Sequence, residues 1–127
     1  MPAARKTPGY RIGQVSELKS ISPYTLRYYD NQKLLPKVFR DKNGARRFTE
    51  EDLQWLDMIK CLKNTNMPLE EIKLFVDSTY EGKNTLNNRI KLLQGQEKQI
   101  KKNIAQQQLY LEKVRLKIKT LKKQKEN

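Results

Sequence analysis

The sequence predicts a mainly α-helical protein in which a small winged helix-turn-helix domain precedes a long coiled-coil helix. Three observations predict this fold. Two short helical patterns follow each other closely, an Asn-Gly pair then separates two β-prone runs, and the last third carries apolar residues at alternating spacings of four and three. We expect a flexible basic arm over residues 1–9, the winged domain over 10–80 and the coiled coil over 83–125.

The helix-turn-helix is predicted near the N-terminus. Apolar residues at helical spacing indicate a first helix over residues 12–20, and they are Ile12, Val15 and Leu18. Ser22 followed by Pro23 is typical of a helix start, because serine caps free backbone N–H groups and proline suits the first turn. The second helix should then extend to about Leu34 and stop before the next proline.

A β-hairpin wing is predicted directly after the second helix. Residues 37–39 and 45–48 have β propensity, and the turn between them ends in Asn43-Gly44. An Asn-Gly pair between two such runs is the strongest local signal for a hairpin. The wing carries four cations suited to gripping a phosphate backbone beside a groove: Arg40, Lys42, Arg46 and Arg47.

Two further helices complete the predicted domain. Thr49 is a capping residue followed by three acidic residues, which favours a helix start because the amino end of a helix is electropositive. This third helix should end near Asn64, with the apolar stripe Leu53, Trp55, Leu56, Ile59 and Leu62. A fourth helix is expected from Leu69 to about Ser78, with Gly82 interrupting the pattern after inward-facing Ile72, Phe75 and Val76.

The C-terminal third is predicted to form a dimerisation coiled coil. Its seam positions alternate spacings of four and three without a slip, and nine of the eleven are apolar. The alternative is a single amphipathic helix that packs on its own domain, but a seam this long and narrow has no matching face in so small a domain. The apolar seam residues are Leu86, Ile90, Leu93, Ile100, Ile104, Leu111, Val114, Ile118 and Leu121.

The net charge of the chain is +13 at pH 7 and is unevenly distributed. Residues 1–49 carry 11 basic and 3 acidic side chains, residues 50–82 carry 3 and 8, and residues 83–127 carry 13 and 3. Basic ends of this kind favour a polyanionic partner, most commonly nucleic acid. Neither a signal peptide nor a membrane-spanning stretch is visible, so we expect a cytoplasmic protein without a membrane partner.

The composition argues against catalytic and metal chemistry. The chain has no histidine and a single cysteine, Cys61, which rules out an internal disulfide and argues against a metal site within one chain. One thiolate from each protomer meeting in a dimer is the alternative left open. The acidic pairs lie in predicted first turns, where they complement the helix dipole. We therefore expect neither an enzyme nor a cofactor.

The second helix should carry the DNA-contacting face. Leu26 and Tyr29 can pack inward, while four polar or aromatic residues share another face at spacings of three, four and seven: Tyr24, Arg27, Tyr28 and Asn31. A guanidinium suits guanine edges or phosphate, and hydroxyls suit phosphate. The alternative is an ordinary solvated face. Together with the wing, the pattern favours double-stranded DNA as the partner.

Several segments of the chain resemble, in order over residues 10 to about 76, the signature of the MerR family of regulators. These segments are YRIGQV at 10–15, SPYTLRYYD at 22–30, LLP at 34–36, GARRF at 44–48 and DL at 52–53. The predicted coiled coil follows where that family has its dimerisation helix. One departure is Ala45, where many members carry an aromatic residue, and it weakens any claim for a wing-tip contact there.

The resemblance implies a homodimer bound to a pseudo-palindromic promoter element. Members of the family often activate transcription by bending and undertwisting DNA whose promoter elements are too far apart, so RNA polymerase is affected indirectly. By position, Arg27 and Tyr28 would be contacts of the recognition helix, and Arg46 and Arg47 contacts of the wing.

Cys61 has two interpretations. The stretch over residues 55–64 resembles the single-cysteine subgroup of MerR regulators that respond to aldehydes and other electrophiles, which implies an effector-sensing role for this thiol. The residues alone favour a packing role, because Asp57 one turn earlier and the negative end of the helix both disfavour a thiolate. Both interpretations remain open at this point.

The alternative function is that of an architectural basic coiled-coil protein that binds nucleic acid without sequence preference. Specific binding should keep a large preference for one site as salt rises, whereas non-specific binding should show only a steep dependence on salt. The face of the second helix favours a specific regulator. The basic C-terminal segment is compatible with the architectural alternative.

Overall fold

The computed structural model describes residues 9–127, so residues 1–8 of the predicted basic arm lie outside the described residues. The chain divides into two compact units, one up to Arg89 and one from Ile90 onward. Its elements are, in order, α1 (Ile12–Lys19), α2 (Pro23–Asn31), β1 (Phe39–Arg40), β2 (Arg46–Arg47), α3 (Glu50–Asn64), α4 (Leu69–Glu81), a 3-10 turn (Lys83–Thr85) and α5 (Leu86–Glu126). The prediction of a mainly helical, winged helix-turn-helix chain is confirmed.

A tight turn joins α1 to α2. Ser20 adopts a left-handed conformation (φ 55°), and its backbone N–H bonds back to the Ser16 carbonyl, which ends α1. Ile21 is buried beneath the turn. Of the apolar residues predicted on α1, Val15 is fully buried, but Leu18 is 60% exposed, so it lies outside the core of this unit.

The second helix is shorter than predicted. It ends at Asn31 rather than near Leu34, because Lys33 takes a left-handed conformation (φ 61°) that no α-helix continues through. The chain nevertheless keeps its apolar side inward beyond this point, since Leu34 and Leu35 are both buried. The local turn therefore redirects the backbone without releasing these two side chains from the core.

The wing is a two-stranded antiparallel hairpin. Phe39 pairs with Arg47 and Arg40 with Arg46. An additional bridge joins Tyr10 to Phe48, with the two backbones exchanging hydrogen bonds of 2.7 and 2.9 Å. Because Phe48 is also fully buried, the far end of the wing is fastened to the chain segment that precedes α1.

The core lies between α1, α2, α3 and α4. The predicted stripe of α3 and the predicted inward residues of α4 are buried, apart from the half-exposed Trp55. The Trp55 ring packs edge-on against Phe75 at 5.9 Å between centroids, and its indole N–H donates to the Tyr80 hydroxyl at 2.9 Å. These contacts hold α3 and α4 together along one side.

Helix α4 continues to Glu81, three residues beyond the predicted Ser78, because the first residue that breaks it is Gly82 (φ 112°). The Thr85 hydroxyl then donates to the carbonyls of Ser78 and Gly82, at 2.6 and 2.8 Å. This hydroxyl thus contacts a carbonyl in the last turn of α4 and the carbonyl of Gly82, immediately before α5 begins.

Helix α5 is 41 residues long and has no buried residue within the chain. Most of the predicted seam is exposed, with Leu93 and Ile100 half-exposed. A long helix whose apolar positions are mostly exposed within one chain gains stability when they pack on another helix. No helix within residues 9–127 combines the length and the apolarity needed to cross a bilayer.

Candidate nucleic-acid interface

The cap of α2 determines where the helix begins, and its buried side chains determine which face points to solvent. The Ser22 hydroxyl oxygen accepts from the Thr25 backbone N–H at 3.1 Å, and Pro23 occupies the first turn, as predicted. Behind the helix, Leu26 is fully buried and Tyr29 nearly so. Because these two side chains fix the rotation of α2 about its axis, the opposite face is held toward solvent.

All four residues predicted on this face are exposed. Tyr24 is 77% exposed and Tyr28 42%, while Arg27 and Asn31 are exposed as well. The face combines one guanidinium, two phenolic hydroxyls and one amide over two helical turns. It offers hydrogen-bond donors for phosphate oxygens and for the acceptor edge of guanine, together with aromatic surface for base methyl groups.

Asp41 organises the tip of the wing. Its carboxylate accepts from the backbone N–H groups of Asn43 and Ala45, at 2.9 and 3.0 Å, and from the Arg47 guanidinium at 3.1 Å. These hydrogen bonds hold the pKa of Asp41 below its ordinary value, with the one from Ala45 contributing most. Gly44 takes the left-handed conformation (φ 81°) that this turn requires.

The four wing cations differ in their surroundings. Lys42 is exposed at the tip of the hairpin. Arg40 is also exposed, but its guanidinium donates to the Gly44 carbonyl at 2.9 Å. Arg47 pairs with Asp41 inside the wing, and Arg46 pairs with Asp30 of α2 at 2.7 Å. The sequence predicted a phosphate contact for each of the four, and the structure engages three of them in internal hydrogen bonds.

Three aspartates that the sequence did not single out shape this surface. Asp30 and Asp41 hold wing arginines, and Asp52 is fully buried at the root of the wing, where it accepts from the Lys37 backbone N–H at 3.0 Å. Asp41 carried a signal, since an aspartate that opens a hairpin turn commonly bonds to the backbone two residues on. No sequence pattern links Asp30 to Arg46, which lies 16 positions further on.

Cys61 lies exposed on α3, whereas the residues alone had favoured a packing role. Its charged neighbours are engaged with α1: Lys19 pairs with Asp57 at 2.9 Å, and the Lys60 ammonium donates to the Lys19 carbonyl at 2.8 Å. The thiol is thus reachable from solvent, while the Lys60 ammonium is bonded to another group. Within residues 9–127 there is no cluster of cysteine and carboxylate side chains that could hold a metal ion.

Comparison with known proteins identifies the class to which this domain belongs. Residues 10–79 match the MerR HTH family regulatory protein model. An uncharacterised HTH-type transcriptional regulator of Haemophilus influenzae is 47% identical over 103 residues, which cover 81% of this chain and 76% of that protein. The chain therefore belongs to the MerR family. Its relatives are named as transcriptional regulators, in agreement with the expectation that it is not an enzyme.

Two solved structures are similar over most of the chain. One is HiNmlR, a MerR family regulator lacking the sensor domain, bound to promoter DNA, with a TM-score of 0.80, 45% identity and coverage of 86% of both chains. The other is a MerR family transcriptional regulator from Bacillus thuringiensis, with a TM-score of 0.78, 42% identity and coverage of 86% of this chain and 96% of that one. The similarity extends beyond the winged domain, since residues 10–79 alone would cover a smaller share.

Proposed function

We propose that the chain is a sequence-specific transcription regulator that binds promoter DNA as a homodimer. The observation that carries this proposal is the exposed face of α2, held outward by buried Leu26 and Tyr29 in a domain of the MerR family. The similar structure of HiNmlR bound to promoter DNA supports the same partner. In this proposal Tyr24, Arg27, Tyr28 and Asn31 contact the groove, and Arg40 and Lys42 contact phosphates beside it.

The dimer is proposed to form through α5. Its apolar seam has no buried residue within one chain, and a second copy of the same helix offers a matching seam. Two winged domains would then be presented to a pseudo-palindromic site. By distorting the DNA between promoter elements, such a dimer would affect RNA polymerase without a large direct contact.

Selection of binding sites from a pool of random duplexes tests the specificity. We expect one enriched pseudo-palindromic sequence, bound at least about a thousandfold more tightly than a scrambled duplex at physiological salt. Arg27→Ala should weaken binding to that sequence about 5- to 150-fold for each half-site. Lys63→Ala, which removes an exposed cation of α3, should change it less than twofold. A pool without enrichment would instead support the architectural, non-specific alternative.

We further propose that modification of Cys61 by a small electrophile shifts the dimer between two DNA-bound shapes. The exposure of the thiol on α3 supports this proposal, because an electrophile must reach it. The test is transcription in vitro from a promoter that contains the selected sequence, with and without a small aldehyde. Activation that is lost in Cys61→Ser would support the switch. If both proteins alter transcription yet ignore the aldehyde, the thiol has no sensing role and the DNA-binding proposal is unaffected.

A further inference from the structure

Arg46 connects the wing to the recognition helix. Its Nε donates to Asp30 Oδ2 at 2.7 Å, and its Nη2 donates to Asn31 Oδ1 at 3.1 Å. Both members of the ion pair are largely shielded, with side-chain exposures of 13% for Arg46 and 21% for Asp30. Two N–H donors of the guanidinium are therefore directed at the last turn of α2.

The strands of the wing are very short, so the hairpin is stabilised by contacts of this kind in addition to the Tyr10–Phe48 bridge. Each strand has two residues, and an isolated hairpin of this size is not stable in water. The end of α2 is also a favourable place for a cation, since the carbonyl end of a helix is electronegative. Arg46 thus combines an ion pair, an amide hydrogen bond and the helix dipole at one point, which is more than an exposed ion pair offers.

We infer that Arg46 is a positioning residue that sets the distance between the wing and α2, and that Asp30 consequently strengthens DNA binding although it is a carboxylate. This inference rests on the proposed function. The sequence predicted Arg46 as a phosphate contact of the wing. In this inference Arg46 instead links the wing to α2. The phosphate contacts of the wing are then left to the exposed cations, Lys42 and Arg40.

The two roles predict opposite signs for Asp30→Asn. If Arg46 is a free phosphate contact, removing the neighbouring carboxylate relieves repulsion with DNA and releases the guanidinium, so binding tightens. If Arg46 instead holds the wing against α2, loss of the Asp30 carboxylate lets the wing move, and binding weakens. Coupling within one ion-pair network corresponds to about 2- to 150-fold in an equilibrium constant, and we expect roughly tenfold weaker binding to the selected duplex.

The dependence of binding on salt gives a second, independent measure. Removing one cation that neutralises a phosphate lowers the slope of log K against log salt by about 0.9. Arg46→Gln should weaken binding about as much as Asp30→Asn but leave this slope unchanged, whereas Lys42→Ala should lower it. The double variant Asp30→Asn/Arg46→Gln should bind no more weakly than either single variant, because both substitutions break the same link.

Matched controls separate positioning from charge and from folding. Asp57→Asn removes another carboxylate that is paired with a cation, on α3, and should not weaken binding. Titration of active protein at saturating DNA distinguishes a smaller folded fraction from a weaker affinity. In the free protein, Asp30→Asn should shift the amide NMR signals of Phe39 and Arg47 in the wing, which face each other across the hairpin.

The outcomes discriminate clearly. Unchanged or tighter binding by Asp30→Asn, or a salt slope that falls by about 0.9 per protomer in Arg46→Gln, would overturn the inference. If the wild-type protein selects no sequence at all, the proposed function fails instead. The link between Arg46 and α2 is then judged from the wing amide signals of the free protein, and signals that do not move in Asp30→Asn would overturn it.

Discussion

Replacing the buried Asp52 with asparagine should destabilise the winged domain by about 1–2 kcal/mol. Oδ1 of the carboxylate accepts from the Lys37 N–H at 3.0 Å, and Oδ2 accepts from the Thr49 N–H at 2.9 Å and from the Thr49 hydroxyl at 3.0 Å. An asparagine has only one acceptor oxygen, so its NH₂ group must face one of these backbone donors. A buried N–H without an acceptor costs about 1–3 kcal/mol.

The estimate lies in the lower part of that range because burial also works against the native aspartate. Burial raises the pKa of Asp52, while the hydrogen bonds from Thr49 and Lys37 lower it, so the charged form bears a desolvation cost that asparagine avoids. Asp52→Ala removes both acceptors and leaves a cavity, and it should cost about 3 kcal/mol or more. The order of stability should therefore be wild type, then Asp52→Asn, then Asp52→Ala.

Urea unfolding of the full chain, followed by circular dichroism at pH 7, measures these differences. Protein concentration must be held fixed, since a dimer is stabilised by mass action. Glu70→Gln is the matched control, because it neutralises an exposed first-turn acid of α4 and should change stability by less than about 0.5 kcal/mol. An Asp52→Asn variant as stable as this control would refute the argument that the two oxygens serve separate donors.

Three further predictions concern the helix cap, the wing tip and the seam. Ser22→Ala removes the acceptor of the Thr25 N–H and should cost about 1 kcal/mol in the same urea assay, while Ser22→Asp should restore most of it. Since the pKa of Asp41 is lowered in the folded wing, the stability that it contributes is present above its unfolded value of 3.8 and is lost as pH falls through the lower, folded pKa. The amide signals of Asn43 and Ala45 should therefore titrate below pH 3.8, and a midpoint at or above that value would contradict the hydrogen bonds seen at the tip. Leu111→Ala should raise the dimer dissociation constant at least about a hundredfold in sedimentation equilibrium, because two copies leave the seam. Leu116→Ala, about 140° around the helix from Leu111, should change it less than threefold, and equal effects of the two would argue against this seam.

Local signals were sufficient to predict most of the fold. Ser22-Pro23 and Thr49 determine where α2 and α3 begin because capping depends on residues within one turn, and Asn43-Gly44 locates the hairpin for the same reason. The ends of helices were predicted less well. A left-handed residue such as Lys33 stops a helix without any glycine or proline to signal it.

The exposed face of α2 was predictable for a related reason. A helical period assigns Arg27 and Tyr28 to one side once Leu26 is assigned to the other, and burial follows from that rotation. The pairing of the wing cations was not predictable. Whether an arginine faces solvent or a carboxylate depends on contacts between residues 6 to 16 positions apart. The amino-acid composition of the wing does not distinguish a paired arginine from a free one.

These pairings suggest why a surface meant for a polyanion retains aspartates. A carboxylate near DNA weakens long-range attraction, but the +8 of residues 1–49 already includes Asp30 and Asp41. The aspartates fix the conformation of the wing. Asp52 holds the root of the wing and Asp41 holds its tip, while Asp30 holds its side by pairing with Arg46. A wing whose position is fixed before binding loses less conformational entropy when the domain meets DNA. If the inference about Arg46 holds, this preorganisation should outweigh the charge that the aspartates neutralise, and attraction to DNA is left to the exposed cations.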